Sequence, residues 1–354
     1  MFMKLTILPL TLLVLMVVTG TAQDSKFPSL PSKIFSSYAP QAPEIHSPGA
    51  MAAQAQTFLD SLDDDLRGQA SLPYDSIEKS RWTNVPPRGP QGGVRLGDLS
   101  EGQLKLAFDL LATVLSPQGF AKARGIPLAD DRLLRNGERR PGFGAEDYWL
   151  AIFGKPSAET PWAIQFDGHH LAINLAFHGT GMSLSPTFIG TQPREFKLNK
   201  NTVEPMAGQD AAGLAFLRTL GAAQQGEAIL GKKRGKLVAG AGRDGVVPNA
   251  VGVSCENLNK AQKSALMNII QLYVNDLPEP FSTRRLEELS AEIDRMTFAW
   301  WGPVEDDGDY SYRIQGPTLI IEFAGQDLGG DPHDHLHSMY RDPTNEYGAR
   351  LGGQ

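Results

Sequence analysis

Cysteine is nearly absent from this chain of 354 residues, which contains Cys255 alone. A disulfide framework is therefore excluded, and stability must come from the packed core, in which we expect Cys255 to be buried. The chain also lacks a basic excess, because its 33 Lys and Arg are outnumbered by 40 Asp and Glu. This balance argues against nucleic acid and anionic membranes as partners, since both bind basic patches.

Familiar catalytic signatures are missing as well. The sequence has no Gly-x-Ser-x-Gly elbow, no P-loop, no dinucleotide fingerprint and no His-Glu-x-x-His motif. The acidic stretch 305–309 lacks the spacing and the final Glu of an EF-hand loop and is predicted to be a hairpin tip. No internal repeat is apparent. The reaction class must therefore be sought in isolated polar residues.

The first 22 residues have the three parts of a secretory signal peptide. Lys4 supplies the positive charge, residues 5–18 are apolar, and the small residues Gly20 and Ala22 predict cleavage before Gln23. An apolar run of about 14 residues is shorter than the roughly 20 needed to span a bilayer. We therefore expect export to the periplasm or the extracellular space, without a membrane anchor.

Residues 23–48 are rich in Pro and Ser and are predicted to form an extended or disordered arm. Residues 49–354 are predicted to form a single α+β domain, with helices covering an antiparallel sheet, because helical blocks alternate with strand blocks. The predicted helices span residues 50–66, 101–115, 207–231, 259–276 and 282–296. The predicted strands span residues 149–153, 162–166, 169–177, 183–189, 297–301, 310–315, 318–323 and 334–340.

Five of the seven histidines fall in two short groups, His169-His170 and His333-Asp334-His335-Leu336-His337. Alternate residues of an extended segment share a face, so His333, His335 and His337 are expected to project together. Imidazoles placed in this way can chelate zinc, copper or iron, with a further ligand from elsewhere in the fold.

The other histidine group lies in a predicted hairpin whose turn is Asp167-Gly168. In the returning strand, His169 has the phase of the apolar residues, whereas His170 has the phase of Asn174. We therefore favour His170 as the third ligand, joined to His335 and His337. The roles of His169 and His178 stay open.

Three further charged residues are candidates for the site. Glu322 closes an apolar strand, where a buried carboxylate needs a partner, and is predicted to be a fourth ligand, a general base or a residue that orients a histidine. Arg341 continues the phase of His335 and His337, and Arg313 lies between apolar residues. Either arginine could hold an anionic substrate or form a structural ion pair.

Seven segments of the chain, among them Pro161–Asn174 and His335–Gly348, resemble a family of secreted bacterial and fungal proteins grouped as domain of unknown function 3500. That family typically has Asn-His-x-His where this chain has Asp334-His335-Leu336-His337, so the resemblance retains both histidines and leaves His333 outside the motif. It also puts His170 and Glu322 in motif positions but implies no reaction. The matching segments are Leu115–Gly125, Tyr148–Pro156, Pro161–Asn174, Ser185–Gly190, Phe298–Gly302, Tyr312–Glu322 and His335–Gly348.

Three functions are compatible with these residues. The first is an exported metal-dependent enzyme, hydrolytic or redox, that acts on a small and anionic substrate. The second is a non-catalytic exported protein that binds a small molecule or a metal ion. The third is a metal-free hydrolase or lyase in which His335 and Glu322 act as acid and base. The sequence alone gives neither the metal nor the oligomeric state.

Overall fold

The computed structural model describes residues 29–41, 46–89, 91–133, 141–306, 308–328 and 330–351. The predicted signal peptide, residues 1–22, lies outside these ranges. Among the helices of the described ranges, none has the length and apolar character that crossing a membrane requires.

The described residues fold into an α+β domain, as predicted. The helices are α1 (Leu30–Ser37), α2 (Pro48–Asp60), α3 (Asp64–Ala70), α4 (Glu101–Val114), α5 (Pro117–Asp130), α6 (Gln209–Thr219), α7 (Ala222–Ala228), α8 (Lys260–Val274) and α9 (Phe281–Ala291). The first seven strands are β1 (Ser71–Leu72), β2 (Val94–Arg95), β3 (Tyr148–Phe153), β4 (Trp162–Gly168), β5 (Leu171–His178), β6 (Gly181–Ser183) and β7 (Thr187–Thr191). The remaining strands are β8 (Phe196–Leu198), β9 (Asn201–Val203), β10 (Ile229–Gly231), β11 (Val253–Ser254), β12 (Thr297–Trp301), β13 (Ser311–Gly316), β14 (Leu319–Gly325) and β15 (Leu336–Arg341).

One large sheet organises the domain. Its strands follow the order β1-β3-β4-β5-β7-β15-β14-β13-β12-β10, while β2, β6 and β11 pair alongside β3, β5 and β12. The long strands are antiparallel, and only the β1–β3 and β10–β12 pairs among those described are parallel. The predicted antiparallel sheet is thus confirmed, with β7 and β15 at its centre.

The two faces of the sheet are covered differently. Alternate residues such as Leu171, Ile321 and Tyr340 point into the main core, which the helices complete. The opposite face carries polar residues such as Glu322 and Arg341 beside a small apolar cluster that includes Phe188. Loops, rather than helices, cover this second face.

Part of the segment predicted as an extended arm is helical. Ser29 caps α1 by accepting a hydrogen bond from the amide of Ser32, and Pro31 lies in the first turn, where it costs no backbone bond. Ile34 and Phe35 of this helix are buried in the main core. The prediction missed the helix because its apolar residues are too few to reveal a period.

The β4–β5 hairpin turns two residues later than predicted. Gly168 pairs with Leu171, so the turn consists of His169 and His170 rather than Asp167 and Gly168. The backbone of His170 has a φ of 69°, in the left-handed region that is uncommon for residues other than glycine. The strand phases assigned to the two histidines therefore do not apply.

The fold contains an internal repeat that is not apparent in the sequence. The order β2-α4-α5-β3-β4-β5-β7 recurs as β11-α8-α9-β12-β13-β14-β15, and the two halves meet where β7 pairs with β15. Val94 pairs with Leu150 as Val253 pairs with Phe298. The repeat is hidden because few residues are identical. Those near the start of each half are Gly93 and Gly252, Val94 and Val253, Leu99 and Leu258, and Gln103 and Gln262.

Candidate metal centre

Three histidine rings meet where the β4–β5 turn adjoins the start of β15. The Nε2 atom of His170 lies 2.9 Å from Nε2 of His335, which lies 3.0 Å from Nε2 of His337. His170 and His335 are buried, whereas His337 is partly exposed. The structure thus brings together the three histidines selected from the sequence, and their ligand atoms lie within 4.8 Å of one another.

Two of these rings pack closely against Gly190 of β7. Its amide donates a 2.6 Å hydrogen bond to the carbonyl of His170. A Cβ at this position would lie 2.8 Å from Cδ2 of His337 and 3.2 Å from Cδ2 of His170. Glycine is therefore required here, because any side chain would push the histidines apart.

The hydrogen bonding of His335 fixes where its proton lies. Its Nδ1 is 2.7 Å from the carbonyl oxygen of Leu328, which can only accept, so Nδ1 carries the hydrogen. In the neutral ring, Nε2 then presents a lone pair to His170 and His337. Backbone carbonyls commonly orient metal-binding histidines in this way.

Burial keeps these rings neutral. Desolvation, reinforced by the neighbouring imidazoles, holds the pKa of His170 and the pKa of His337 well below their ordinary value. Desolvation also lowers the pKa of His335, against the opposing effect of the Leu328 carbonyl. Neutral imidazole is the form that binds metals.

His169 belongs to the surroundings of the three rings. Its ring stacks on His170, with centroids 3.7 Å apart, and its Nδ1 lies 2.6 Å from Oδ1 of Asp130 at the end of α5. The other carboxylate oxygen of Asp130 accepts a hydrogen bond from the amide of Gly144. Asp130, His169 and His170 also form a second group that could hold an ion.

Glu322 lies on the same face of the sheet but is bound to other groups. One carboxylate oxygen pairs with Nε of Arg313 at 3.0 Å, and the other accepts hydrogen bonds from the amides of Val238 and Ala239 at 2.8 Å each. The described contacts of this carboxylate are thus with the neighbouring strand β13 and with a covering loop. The structure does not bring Glu322 into the histidine cluster.

The two predicted anion-binding arginines are likewise committed elsewhere. Arg341 is fully buried and donates to the carbonyls of Ala239 and Gly240 and to Asp244 and Glu346. Arg313 pairs with Glu322 and lies over the ring of Trp301. These contacts match the structural ion pair that was the alternative interpretation of each arginine.

Two other histidines lie apart from the cluster. His333 is in the turn before His335 and joins none of the ligand groups found in the described residues, so the expectation that it projects with His335 and His337 is wrong. An extended phase fails at His333 because residues 332–334 form a turn before β15 begins at Leu336. His178 binds the carbonyl of Leu351 at the far end of β5.

Several contributors to the site were not recognised in the sequence. Asp130 and Gly190 come from remote elements, and Leu328 contributes only its backbone carbonyl. Within the sequence, the sole signal was the position of Gly190 inside an apolar strand, where glycine marks the close approach of another group.

A family model described as "Protein of unknown function (DUF3500)" matches residues 46–349. The chain belongs to the DUF3500 family. No curated protein and no solved structure matches it. Membership therefore confirms the resemblance seen in the sequence but supplies no reaction, and the function must be argued from the cluster itself.

Proposed function

We propose that this DUF3500 protein is an exported metal-dependent enzyme that binds one transition-metal ion through Nε2 of His170, His335 and His337. The observation that carries the proposal is the convergence of three neutral ring nitrogens, two pairs of them at 2.9 and 3.0 Å. Nitrogens bound to a tetrahedral ion at about 2.0–2.1 Å stand roughly 3.3 Å apart. Small shifts of the rings would therefore admit an ion.

Hydrogen bonding alone explains the cluster less well. Because Nδ1 of His335 donates to Leu328, its Nε2 has a single lone pair for two neighbouring nitrogens. That lone pair can accept one hydrogen bond in good geometry, which leaves the other close contact without an attractive partner. An ion shared by all three nitrogens satisfies each of them.

The number of ligands favours catalysis over a purely structural role. Structural zinc sites have four protein ligands, whereas catalytic sites have three and leave a position for water or substrate. His337 is partly exposed and gives that position a route to solvent. A metal at this position lowers the pKa of bound water or supports redox chemistry, and three histidines are compatible with zinc, copper or iron.

The residues of the chain hold the ligands in place. Asp130 and His169 position the ring of His170 by hydrogen bonding and stacking, and Leu328 fixes the proton of His335. The ring of Phe188 lies 5.1 Å from that of His337 and limits access of water on one side. The substrate class stays open, since neither Arg313 nor Arg341 is free to bind an anion.

The proposal is tested by metal analysis of untagged protein. We expect about one equivalent of a transition metal in the wild type. The His335→Ala/His337→Ala protein should contain well under about a tenth of an equivalent, because it lacks two of the three ligands. His46→Ala/His178→Ala is the matched control, because these histidines bind the backbone carbonyls of Thr113 and Leu351 elsewhere. Equal metal content in all three proteins would contradict the proposal.

The alternative function, a non-catalytic metal carrier, shares the same ligands and predicts a different fourth position. X-ray absorption of the loaded protein should show an exchangeable oxygen ligand if the site is catalytic. A site closed by a fourth protein ligand would favour the carrier.

A further inference from the structure

A cleft of about 530 Å³ lies between α9, the segment before β7 and the end of the chain, and none of the three clustered histidines lines it. It opens beside Tyr340, on the helix-covered face of the sheet, whereas His337 points to the other face. The cleft is thus separate from the candidate metal centre.

The internal repeat makes this cleft the counterpart of the histidine cluster. Gly316 and Leu319 close the β13–β14 turn as Gly168 and Leu171 close the β4–β5 turn. Thr318 in that turn donates to Glu292 just after α9, as His169 binds Asp130 at the end of α5. The β13–β14 turn therefore borders an open cleft, whereas the equivalent β4–β5 turn borders the histidine cluster.

The lining of the cleft has an apolar part and a cationic rim. Met182, Leu184 and Phe281 are buried and contribute the apolar part. Arg284 and Arg350 line the rim, and neither has a carboxylate partner among the described residues. Arg284 donates one hydrogen bond, to the carbonyl of Thr180, and its remaining donors are available.

The other charged residues of the cleft are engaged by described partners. Arg285 binds Asp342 at 3.2 Å and Glu288 at 3.0 Å. Glu292 accepts the hydroxyl hydrogen of Thr318 at 2.8 Å. The three arginines and three carboxylates of the lining balance in charge, and Arg284 and Arg350 are the two cations of the lining without a described carboxylate partner.

We propose that this cleft binds a small organic anion. Its carboxylate or sulfonate pairs with Arg284 and Arg350, and its apolar body lies against Met182, Leu184 and Phe281. Arginine is well suited to this role because its planar donors match the oxygens of such a head group. The volume is that of ordinary small-molecule sites. This inference does not depend on the metal proposal.

The test compares two probes that differ mainly in one charged group. We expect 8-anilinonaphthalene-1-sulfonate to bind the full-length protein with one saturable site, and the neutral N-phenyl-1-naphthylamine to bind at least tenfold more weakly, since the neutral probe lacks the arginine pairing. Fluorescence titration, confirmed by calorimetry, measures both affinities. Equal affinities for the two probes would overturn the proposal.

Variants locate the site. Arg284→Gln/Arg350→Gln should weaken sulfonate binding about tenfold or more and leave the neutral probe unaffected. Arg243→Gln/Arg295→Gln makes the same charge change outside the cleft and should leave both probes unaffected. If the first double variant does not fold, Arg350→Gln alone replaces it, because Arg350 is exposed and its side chain makes no described contact. An equal loss in the control pair, or no loss in the cleft variant, would refute the assignment.

A further variant fills the cleft and another separates it from the metal centre. Met182→Trp should abolish binding of both probes, since the indole occupies the apolar part. His335→Ala/His337→Ala should bind the sulfonate with unchanged affinity. Loss of sulfonate binding in the histidine variant would show that the probe lies at the metal centre instead.

Discussion

Asp167 on β4 offers a quantitative test of the structure. Its side chain is buried, its Oδ1 has no hydrogen-bond partner in the described chain, and its other described contact is a hydrogen bond from the backbone of Thr83. Desolvation raises the pKa of this carboxyl from 3.8 to about 7. The native protein therefore binds a proton that the unfolded chain releases above about pH 4.

The sign of the effect follows from this difference. Stability from the bound proton is fully present below about pH 4 and is lost as pH rises through about 7, because only the native state retains the proton in between. A shift of about 3 units at 1.36 kcal/mol each amounts to about 4 kcal/mol. Relaxation around the ionised carboxylate reduces this, so we expect about 2–4 kcal/mol.

Asp167→Asn should therefore match the wild type near about pH 4 and exceed its free energy of unfolding by about 2–4 kcal/mol at about pH 8.5. Urea unfolding across this range measures the difference between the two proteins. Asp65→Asn, at an exposed position of α3, is the control and should differ little from the wild type at any pH. A pH-independent difference for Asp167→Asn, or destabilisation at alkaline pH, would refute the reasoning.

Other variants probe separate parts of the account. Gly190→Ala should weaken metal binding at least tenfold, because its Cβ would lie 2.8 Å from Cδ2 of His337. Gly226→Ala is the control and should leave metal binding unchanged, since a Cβ there has no neighbour within 4 Å. Equal metal affinities of the two variants in a competition titration would contradict this prediction. Glu322→Ala should cost about 3–5 kcal/mol in urea unfolding, since it strands Arg313, yet leave the metal content intact; lost metal would instead return Glu322 to the site. Phe35→Ala should cost about 3–5 kcal/mol if α1 belongs to the core, and a loss below about 1 kcal/mol would exclude α1 from it.

The sequence predicted those features that depend on local periodicity. The helix beginning after Ser100 and the one beginning after Asn259 both start with capping boxes, and both were placed within two residues of their observed bounds. The region 207–231 was predicted as one helix but contains α6 and α7, because Gly221 starts a new helix after Leu220. Local signals thus located most elements but not the breaks between them.

The convergence of His170 with His335 and His337 was predicted from the polarity of one face of the strand, but the position assigned to His170 was wrong. His170 reaches the cluster because it lies in a turn with positive φ, not because it shares a strand face with Asn174. The contributions of Asp130 and Leu328 could not be predicted, since they depend on how α5 and a distant loop pack against the sheet.

Charged residues in strands misled the prediction for a similar reason. Strand phase correctly placed Arg341 on the face of His337, where Glu322 also lies, yet phase does not say which loop covers that face. The loop containing Val238 and Ala239 supplies backbone donors and acceptors that engage both side chains. Only the folded structure shows that this loop, rather than a substrate or a metal ion, binds both side chains.

The most direct test of the central claim is the X-ray absorption spectrum of untagged protein loaded with one equivalent of zinc. We predict about three histidine nitrogens at roughly 2.0–2.1 Å with one oxygen, and loss of the histidine signature in His335→Ala/His337→Ala but not in His46→Ala/His178→Ala. A spectrum dominated by oxygen ligands, or one unchanged by replacing His335 and His337, would contradict a metal centre at these three histidines.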